Sequence, residues 1–371
     1  MPDTDVLMVL NYYAPYVSGL TNVARDVAVG LAERGHRVKV VTSRHDPDLP
    51  EVETIDGVEV ERAPVVARLG KGVVSPAFLS RAVRASARAR VTNLHLPMLE
   101  AGLIAGLSRS PVVTTYHCDV SLPPGAANTA QRVVIDASSR RALAASRTVV
   151  VTSDDYARHS RVWPAMIGRT EVIPPPCHER PAGRPRFRDG NGLHVGFLGR
   201  IVEEKGLQYL VRGFQQLGDP DSRLLIAGDF AKVAGGSVID EIRALVDGDQ
   251  RVRLLGFLPD DQLADFYASL DVFALPSINA FEAFGIVQVE AMLAGVPALA
   301  SDLPGVRTPV QETGFGTVVP PRDVPGIAAG LRQLTIAPPD RGHGAERARQ
   351  LFGVDVVVDA YERLIRRFSA D

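Results

Sequence analysis

The sequence is poor in lysine, cysteine and tryptophan. Of its 41 basic residues only Lys39, Lys71, Lys205 and Lys232 are lysines, so a lysine at a motif position carries more weight here than in an average chain. Two cysteines, Cys118 and Cys177, occur in 371 residues. They lack metal-type spacing and read as small buried or half-buried side chains, not as a disulfide framework. No apolar run approaches the roughly 18 residues of a membrane-spanning helix. The start, Met1 to Asp5, is acidic and no leader-type apolar segment follows it, so the expectation is a cytoplasmic protein. Neither sign of charge prevails: the formal net charge is −2, which gives no overall pull toward nucleic acid.

What is present is a globular composition, 46% apolar and 23% charged, incompatible with disorder. At roughly 100–200 residues per domain the length suits two domains. The charge is partitioned. Residues 1–61 hold 5 basic and 11 acidic side chains, whereas residues 62–170 hold 15 basic and 5 acidic ones, a local field able to attract an anionic acceptor or membrane surface.

Strand-like and helix-like segments alternate: Asp5–Leu10, Leu20–Glu33, Val38–Thr42, Ala77–Arg90, Pro111–Tyr116, Gln131–Ala145 and Thr148–Thr152, with a small hairpin about Gly57. This rhythm predicts a parallel sheet covered on both faces. Around Val172 to Gly192 five prolines break the pattern, as in an interdomain linker. A second series follows, with strands near Leu193–Leu198, Arg223–Ala227, Val252–Leu255, Val272–Leu275 and Ala298–Ala300. Val357, Val358, Tyr361, Leu364 and Ile365 then form one stripe of a terminal helix. The predicted organisation is α/β: a first domain over residues 1–175, a linker over 176–192, a second domain over 193–353, and a helix over 354–371 docking back on the first domain. Two doubly wound domains facing each other would gather their strand C-terminal ends around one central cleft.

The segment SINAFEAFGIVQVEAMLAG follows a strand and is expected to open a helix near Ala283. That would place the amides of Phe284, Gly285 and Ile286 at a positive helix end suited to phosphate or sugar oxygens. Glu282 and Glu290, eight positions apart, would stand roughly 12 Å apart on such a helix, fitting hexose and ribose hydroxyls. A capping acid and a solvated helix residue is the plainer reading of the pair. In VGFLGRIVEEKG, Arg200 and Lys205 lie at a strand end where two cations can neutralise a diphosphate; surface pairing with Glu203 and Glu204 is the alternative. His117 follows the strand Pro111–Tyr116. Tyr12, Tyr13 and Tyr16 cluster in the first loop and suit either a sugar-like acceptor or packing. Arg81, Arg84 and Arg88 would share one helix face, solvated or against an anionic membrane. No metal-binding constellation is read.

Together these pieces, from NYYAPYVSG through GHRVKVVT, TTYHCD, VIPPP, FLGRIVEEKGL, LLIAGD, LLGFLP and ALPS to EAFGIVQVEAMLAGVPALASDLPG, resemble a family 4 retaining glycosyltransferase of the GT-B type. The resemblance spans nearly the whole chain. It implies a Glu-x7-Glu pair at Glu282 and Glu290, diphosphate cations at Arg200 and Lys205, a donor-sugar histidine at His117, and Gly19 near the diphosphate. Phe257 and Leu258 would contact the base through their backbone and Gly228 would line the same pocket, with plain loop packing as the alternative; the first domain would bind the acceptor and the second the nucleotide sugar. It implies a nucleoside diphosphate sugar, UDP- or GDP-linked, as donor, a hydroxyl acceptor such as a sugar, cyclitol or anionic lipid, no nucleic-acid partner, and no bound divalent ion. Gly19-Leu20 stands where the family commonly has Gly-Gly, and Pro174-Pro175-Pro176 where Asn-Gly is frequent. Two other readings remain: a dinucleotide-dependent oxidoreductase, against which neither first strand leads into G-x-G-x-x-G, and a non-catalytic sugar-nucleotide-binding protein.

Overall fold

A computed structural model describes residues 3–69, 72–122, 125–229 and 237–368, so Lys71 and Lys232 lie outside the described residues. The chain divides into two units, residues 1–176 with 354–371, and residues 177–353. The first opens with β1 (Thr4–Val9), α1 (Gly19–Glu33), β2 (Val38–Ser43) and the antiparallel pair β3 (Val52–Ile55) and β4 (Val58–Ala63). It continues with the hairpin β5 (Ala67–Leu69) and β6 (Gly72–Val74), then α2 (Pro76–Ser86), β7 (Ala89–Leu96), α3 (Ala101–Leu107) and β8 (Val112–Tyr116). α4 (Ala126–Ala145), β9 (Thr148–Val151), α5 (Asp154–His159) and β10 (Thr170–Val172) complete this pass.

The second unit runs β11 (His194–Leu198), α6 (Leu207–Gln215), β12 (Arg223–Ala227), α7 (Ile239–Leu245), β13 (Val252–Gly256) and α8 (Asp260–Ala268). Then come β14 (Val272–Leu275), α9 (Ile286–Leu293), β15 (Ala298–Ser301), α10 (Thr308–Thr313), β16 (Gly316–Val319), α11 (Val324–Ile336) and α12 (Arg341–Phe352). The last helix, α13 (Val354–Arg366), returns to the first unit.

The first sheet has the order β10-β9-β8-β7-β1-β2-β4-β3, parallel except for β3. The second, β13-β12-β11-β14-β15-β16, is parallel throughout. In each, strand order reverses beside the first strand, between β1 and β7 and between β11 and β14. The carboxyl ends of strands at such a reversal are where doubly wound sheets bind ligands. Burial on both faces explains the apolar runs: Val6, Leu7, Met8 and Val9 of β1 are all fully buried, as parallel strands between helical layers must be.

Helix α1 begins at a reciprocal cap, Ser18 Oγ accepting from the Thr21 amide at 3.2 Å while Thr21 Oγ1 accepts from the Ser18 amide at 2.8 Å. Its buried Ala24, Val27, Ala28 and Leu31 face the sheet and α13, whose Val357, Val358, Tyr361, Leu364 and Ile365 are buried in the same core. The two helices touch at Gly30, where a Cβ would lie 2.6 Å from Val358 Cγ2. In a helix interior Gly→Ala ordinarily stabilises by about 1 kcal/mol, but here overpacking of about 1–3 kcal/mol opposes it. Gly30→Ala is therefore expected to lower the melting temperature, a sign that thermal unfolding reads directly.

Three sequence-based expectations change. β7 was not expected, because Arg90, Thr92, Asn93 and His95 interrupt its apolar pattern. Yet it lies inside the sheet, where the Thr92 and Ser110 hydroxyls meet at 2.7 Å and Asn93 Nδ2 donates to Thr115 Oγ1 at 3.1 Å. Helix α2 consequently ends at Ser86, so Arg88 is not on its face. Arg81 is paired with Glu51 and, at 3.5 Å, with Glu61. Residues 177–192 form no free linker but belong to the second unit: Arg188 pairs with Asp271 at 2.9 Å, and a Cβ on Gly183 would collide with the Ala264 carbonyl.

Candidate active site

The end of β11 is shaped by two glycines. A Cβ on Gly228, φ +154°, would lie 1.8 Å from the Gly199 carbonyl oxygen, so the turns after β11 and β12 touch through bare backbone. Arg200 follows directly, 39% exposed, with Nη2 donating to Glu204 Oε1 at 3.2 Å and its guanidinium 5.9 Å from the centre of the Phe281 ring. Glu203–Lys205 form a single 3-10 turn that ends in left-handed Gly206, the N-cap of α6. A Cβ there would lie 2.1 Å from the Pro276 carbonyl oxygen, and the Ile278 amide donates to the Glu204 carbonyl at 3.0 Å. These contacts press the loop after β11 against the loop after β14. Across that seam Lys205 Nζ donates to Glu282 in a close ion pair, the two side chains only 15% and 18% exposed.

Helix α9 starts later than the sequence suggests. Its N-cap is Gly285, φ +83°, and its first residue is Ile286, so Glu282 lies in the preceding loop and the roughly 12 Å helical spacing to Glu290 does not apply. Phe284 turns its ring into the core, edge-on to Phe352 at 5.6 Å. Buried Gln288 holds the loop, its Nε2 donating to the carbonyls of Phe284 at 2.7 Å and Val306 at 2.9 Å. Among the described residues none of the amides of Phe284, Gly285 and Ile286 donates a hydrogen bond. They form the positive end of an eight-residue helix.

Glu290 is clamped from behind: the Tyr267 hydroxyl donates to Oε2 at 2.9 Å, and Arg180 Nη2 to Oε1 at 3.5 Å. Burial pushes the Tyr267 phenol well up, so it stays a donor. Arg180 also pairs with Asp260 at 2.9 Å. After β13, Phe257 is 72% exposed whereas Leu258 packs into the core, so this dipeptide offers one free ring and a backbone.

In the first unit, Gly19 is the first residue of α1, and a Cβ there would meet nothing within 4 Å; the fold itself has no need of glycine at this position. The loop before it is held by buried Arg62, ion-paired with Glu53 and donating to the carbonyls of Ala14 at 2.7 Å and Pro50 at 3.2 Å. Tyr13 is fully buried in the core, which removes it as a ligand candidate. Tyr12 and Tyr16 stack at 4.6 Å, with His45 edge-on to Tyr16 at 5.5 Å. At the strand-order reversal Asn11 Nδ2 donates to Glu100 Oε2 at 3.3 Å, and burial pushes the Glu100 carboxyl up. His117 is buried, its Nε2 2.9 Å from His95 Nδ1 and the rings stacked with centres 5.2 Å apart. Burial pushes His117 down to about 3 and His95 well below the ordinary histidine range, leaving both rings neutral.

The structure thus brings Arg200, Lys205, Glu282 and the 284–286 amides together at one strand-order reversal, with Gly228 against the same turn. Glu290 stands on the helix that follows, while Gly19 and His117 belong to the first unit. Sequence reading missed Gln288, Arg180, Tyr267, Glu100 and His95; only His95 had a usable signal, as the strand-end partner of His117 once β7 is recognised. Neither cysteine forms a disulfide. Among the described residues no three His, Cys, Asp or Glu side chains are grouped to hold a metal ion. Of the four Asp-x-Asp triplets in the sequence, those at 46–48 and 219–221 are turns, the first aspartate accepting from the amide of the last at 3.0 Å in each. No described helix is long and apolar enough to cross a membrane.

The sequence matches two family profiles, "Glycosyl transferase 4-like domain" over residues 18–176 and "Glycosyl transferases group 1" over residues 192–336. It is 28% identical to 2-deoxystreptamine glucosyltransferase of Streptomyces kanamyceticus, over 82% of this chain and 86% of that one. It is also 28% identical to D-inositol 3-phosphate glycosyltransferase of Nocardia farcinica, over 79% and 71% respectively. Among solved structures, sucrose-phosphate synthase from Thermosynechococcus elongatus superposes with a TM-score of 0.79 at 22% identity, covering 99% of this chain and 100% of that one. HepE of Anabaena in complex with UDP-glucose gives 0.71 at 18% identity, covering 98% and 100%. These likenesses, together with two doubly wound parallel sheets, identify the fold as GT-B, and the chain belongs to the family 4, group 1 glycosyltransferases.

Proposed function

We propose that the chain transfers a hexosyl unit from a UDP- or GDP-linked sugar to an acceptor hydroxyl, with retention at the anomeric carbon. The observation that supports this most is the cluster of Lys205, Glu282 and Arg200 beside three unspent backbone amides. Departure of a nucleoside diphosphate builds negative charge on the leaving oxygen, and preorganised cations and N–H groups stabilise it. Lys205 has three N–H donors, so it holds Glu282 and a phosphate oxygen at once, and Arg200 offers the rest of its fork. In this reading Glu282 and the helix-end amides take the hexose hydroxyls, the leaving phosphate helps deprotonate the acceptor, and positioning does most of the rest.

Glu290 takes the ribose, with Tyr267 and Arg180 fixing its carboxylate, and the backbone of Gly228, Phe257 and Leu258 borders the base. The first unit binds the acceptor and contributes His117 to the donor sugar. The relatives named for 2-deoxystreptamine and D-inositol 3-phosphate favour a cyclitol hydroxyl as acceptor. A cytoplasmic setting fits such donors. Contact with anionic lipid we assign to exposed Arg84 and Arg109 beside Leu79, Val83 and Leu107, and not to the paired Arg81.

Thermal-shift titration with UDP, GDP, ADP and NAD tests the donor class, since a ligand at 100 times its Kd stabilises by about 2.7 kcal/mol. Stabilisation by NAD alone rejects the reading, and an inverted anomer in the NMR spectrum of the product rejects retention. Glu290→Ala is expected to reduce the nucleotide-induced shift more than it lowers kcat; an unchanged shift removes the ribose role. Gly19→Ala is expected to leave the melting temperature unchanged or raised, because the added methyl meets open space, and to lower kcat/KM for the donor. Unimpaired kcat/KM would mean that the diphosphate does not pass this helix end.

A further inference from the structure

His95 and His117 sit at adjacent strand ends, β7 and β8, as the outermost rung of a buried polar ladder. The next rung inward is Asn93 with Thr115, whose hydroxyl also meets Tyr361 OH of α13 at 3.2 Å. A 2.9 Å contact between His95 Nδ1 and His117 Nε2 is a hydrogen bond only if one nitrogen carries a proton and the other a lone pair. Because both rings are neutral, each has one N–H, and the direction of this bond fixes the proton on all four ring nitrogens.

Two arrangements are conceivable. If His117 donated, His95 would carry its proton on Nε2, which is buried and has no partner. If His95 donates, the same atom is a bare acceptor. An orphaned buried N–H is rarer than an unsatisfied acceptor, so the second arrangement is favoured.

We infer that His95 is the positioning residue for His117: it donates from Nδ1 to His117 Nε2 and thereby makes His117 Nδ1–H a hydrogen-bond donor to an oxygen of the bound substrate. Among the described residues Nδ1 of His117 has no hydrogen-bond partner, so this donor is available. The substrate part of the inference rests on His117 facing the donor sugar. The tautomer part does not.

Chains carrying 15N-histidine, compared by long-range 1H–15N correlation at neutral pH without ligand, read the tautomers directly, with the His95 and His117 variants giving assignments. The expected spectrum has both residues as Nδ1–H tautomers. His117 found as Nε2–H overturns the inference, whatever the variants do. His95→Gln keeps an N–H for His117 Nε2, whereas His95→Phe does not. With thermal unfolding as the control, His95→Phe is expected to lower kcat/KM about ten-fold or more and to shift His117 toward Nε2–H. His95→Gln should restore most of both readouts. A folded His95→Phe chain within about two-fold of the parent kcat/KM overturns the positioning role. If the tautomers are as expected but no nucleotide sugar is turned over, the proposed reaction falls and the histidine pair stands.

Discussion

Lys205→Ala is expected to lower kcat by about two to three orders of magnitude, or about 2.7–4 kcal/mol, the loss typical of removing one preorganised donor from a developing oxyanion. The side chain has two conceivable jobs, meeting the leaving diphosphate and restraining Glu282, with which it is ion-paired. A double-mutant cycle with Glu282→Ala separates them. If Lys205 only restrains Glu282, its removal costs nothing further once Glu282 is gone. If it meets the diphosphate, the cost persists in that background. Lys205→Arg is not expected to rescue, since a planar fork replaces a compact ammonium at a turn pressed against Pro276. Full activity of Lys205→Ala would remove the leaving-group role.

Gly228→Ala is expected to be the most damaging single-methyl change in the second unit. Its Cβ would lie 1.8 Å from the Gly199 carbonyl oxygen, at a φ of +154°. Overpacking and an unfavourable backbone conformation together cost about 2–4 kcal/mol, which thermal unfolding measures. The peptide that must yield is the one leading into Arg200. A displacement of about 1 Å in a positioning group lowers rates by about a hundred-fold, so activity is expected to fall even at temperatures where the variant remains folded. A variant with parental melting temperature and rate would show that the two turns do not meet as described.

How much of this was legible beforehand depended on whether a residue's chemistry was local. The strands β1, β11, β12 and β14 carry unbroken apolar runs, and the Arg200, Lys205 and Glu282 motifs sit next to such strands in the chain, so both could be read. β7 could not, because its Thr92 and Asn93 are buried and find partners on β8 and in the loop before β8, a pairing invisible to a pattern that equates polarity with exposure. His95 was lost with it. The late start of α9 has a similar cause: Glu282 and Ala283 look helical, but Gly285 in the left-handed region breaks the chain there, and Gln288 holds the loop through tertiary bonds. The partners of Glu290 come from α8 and from Arg180, in the proline-rich stretch that reads as linker, where no periodicity announces a structural role.

The return of α13 to the first unit bears on how the protein is made. Five side chains of that unit's core are encoded after the whole second unit, so during synthesis the amino-terminal sheet waits, with an uncovered apolar groove, until the second unit has been translated. A nascent chain arrested before residue 354 should recruit holdase chaperones through that groove, and a peptide spanning α13 supplied in trans should compete them away.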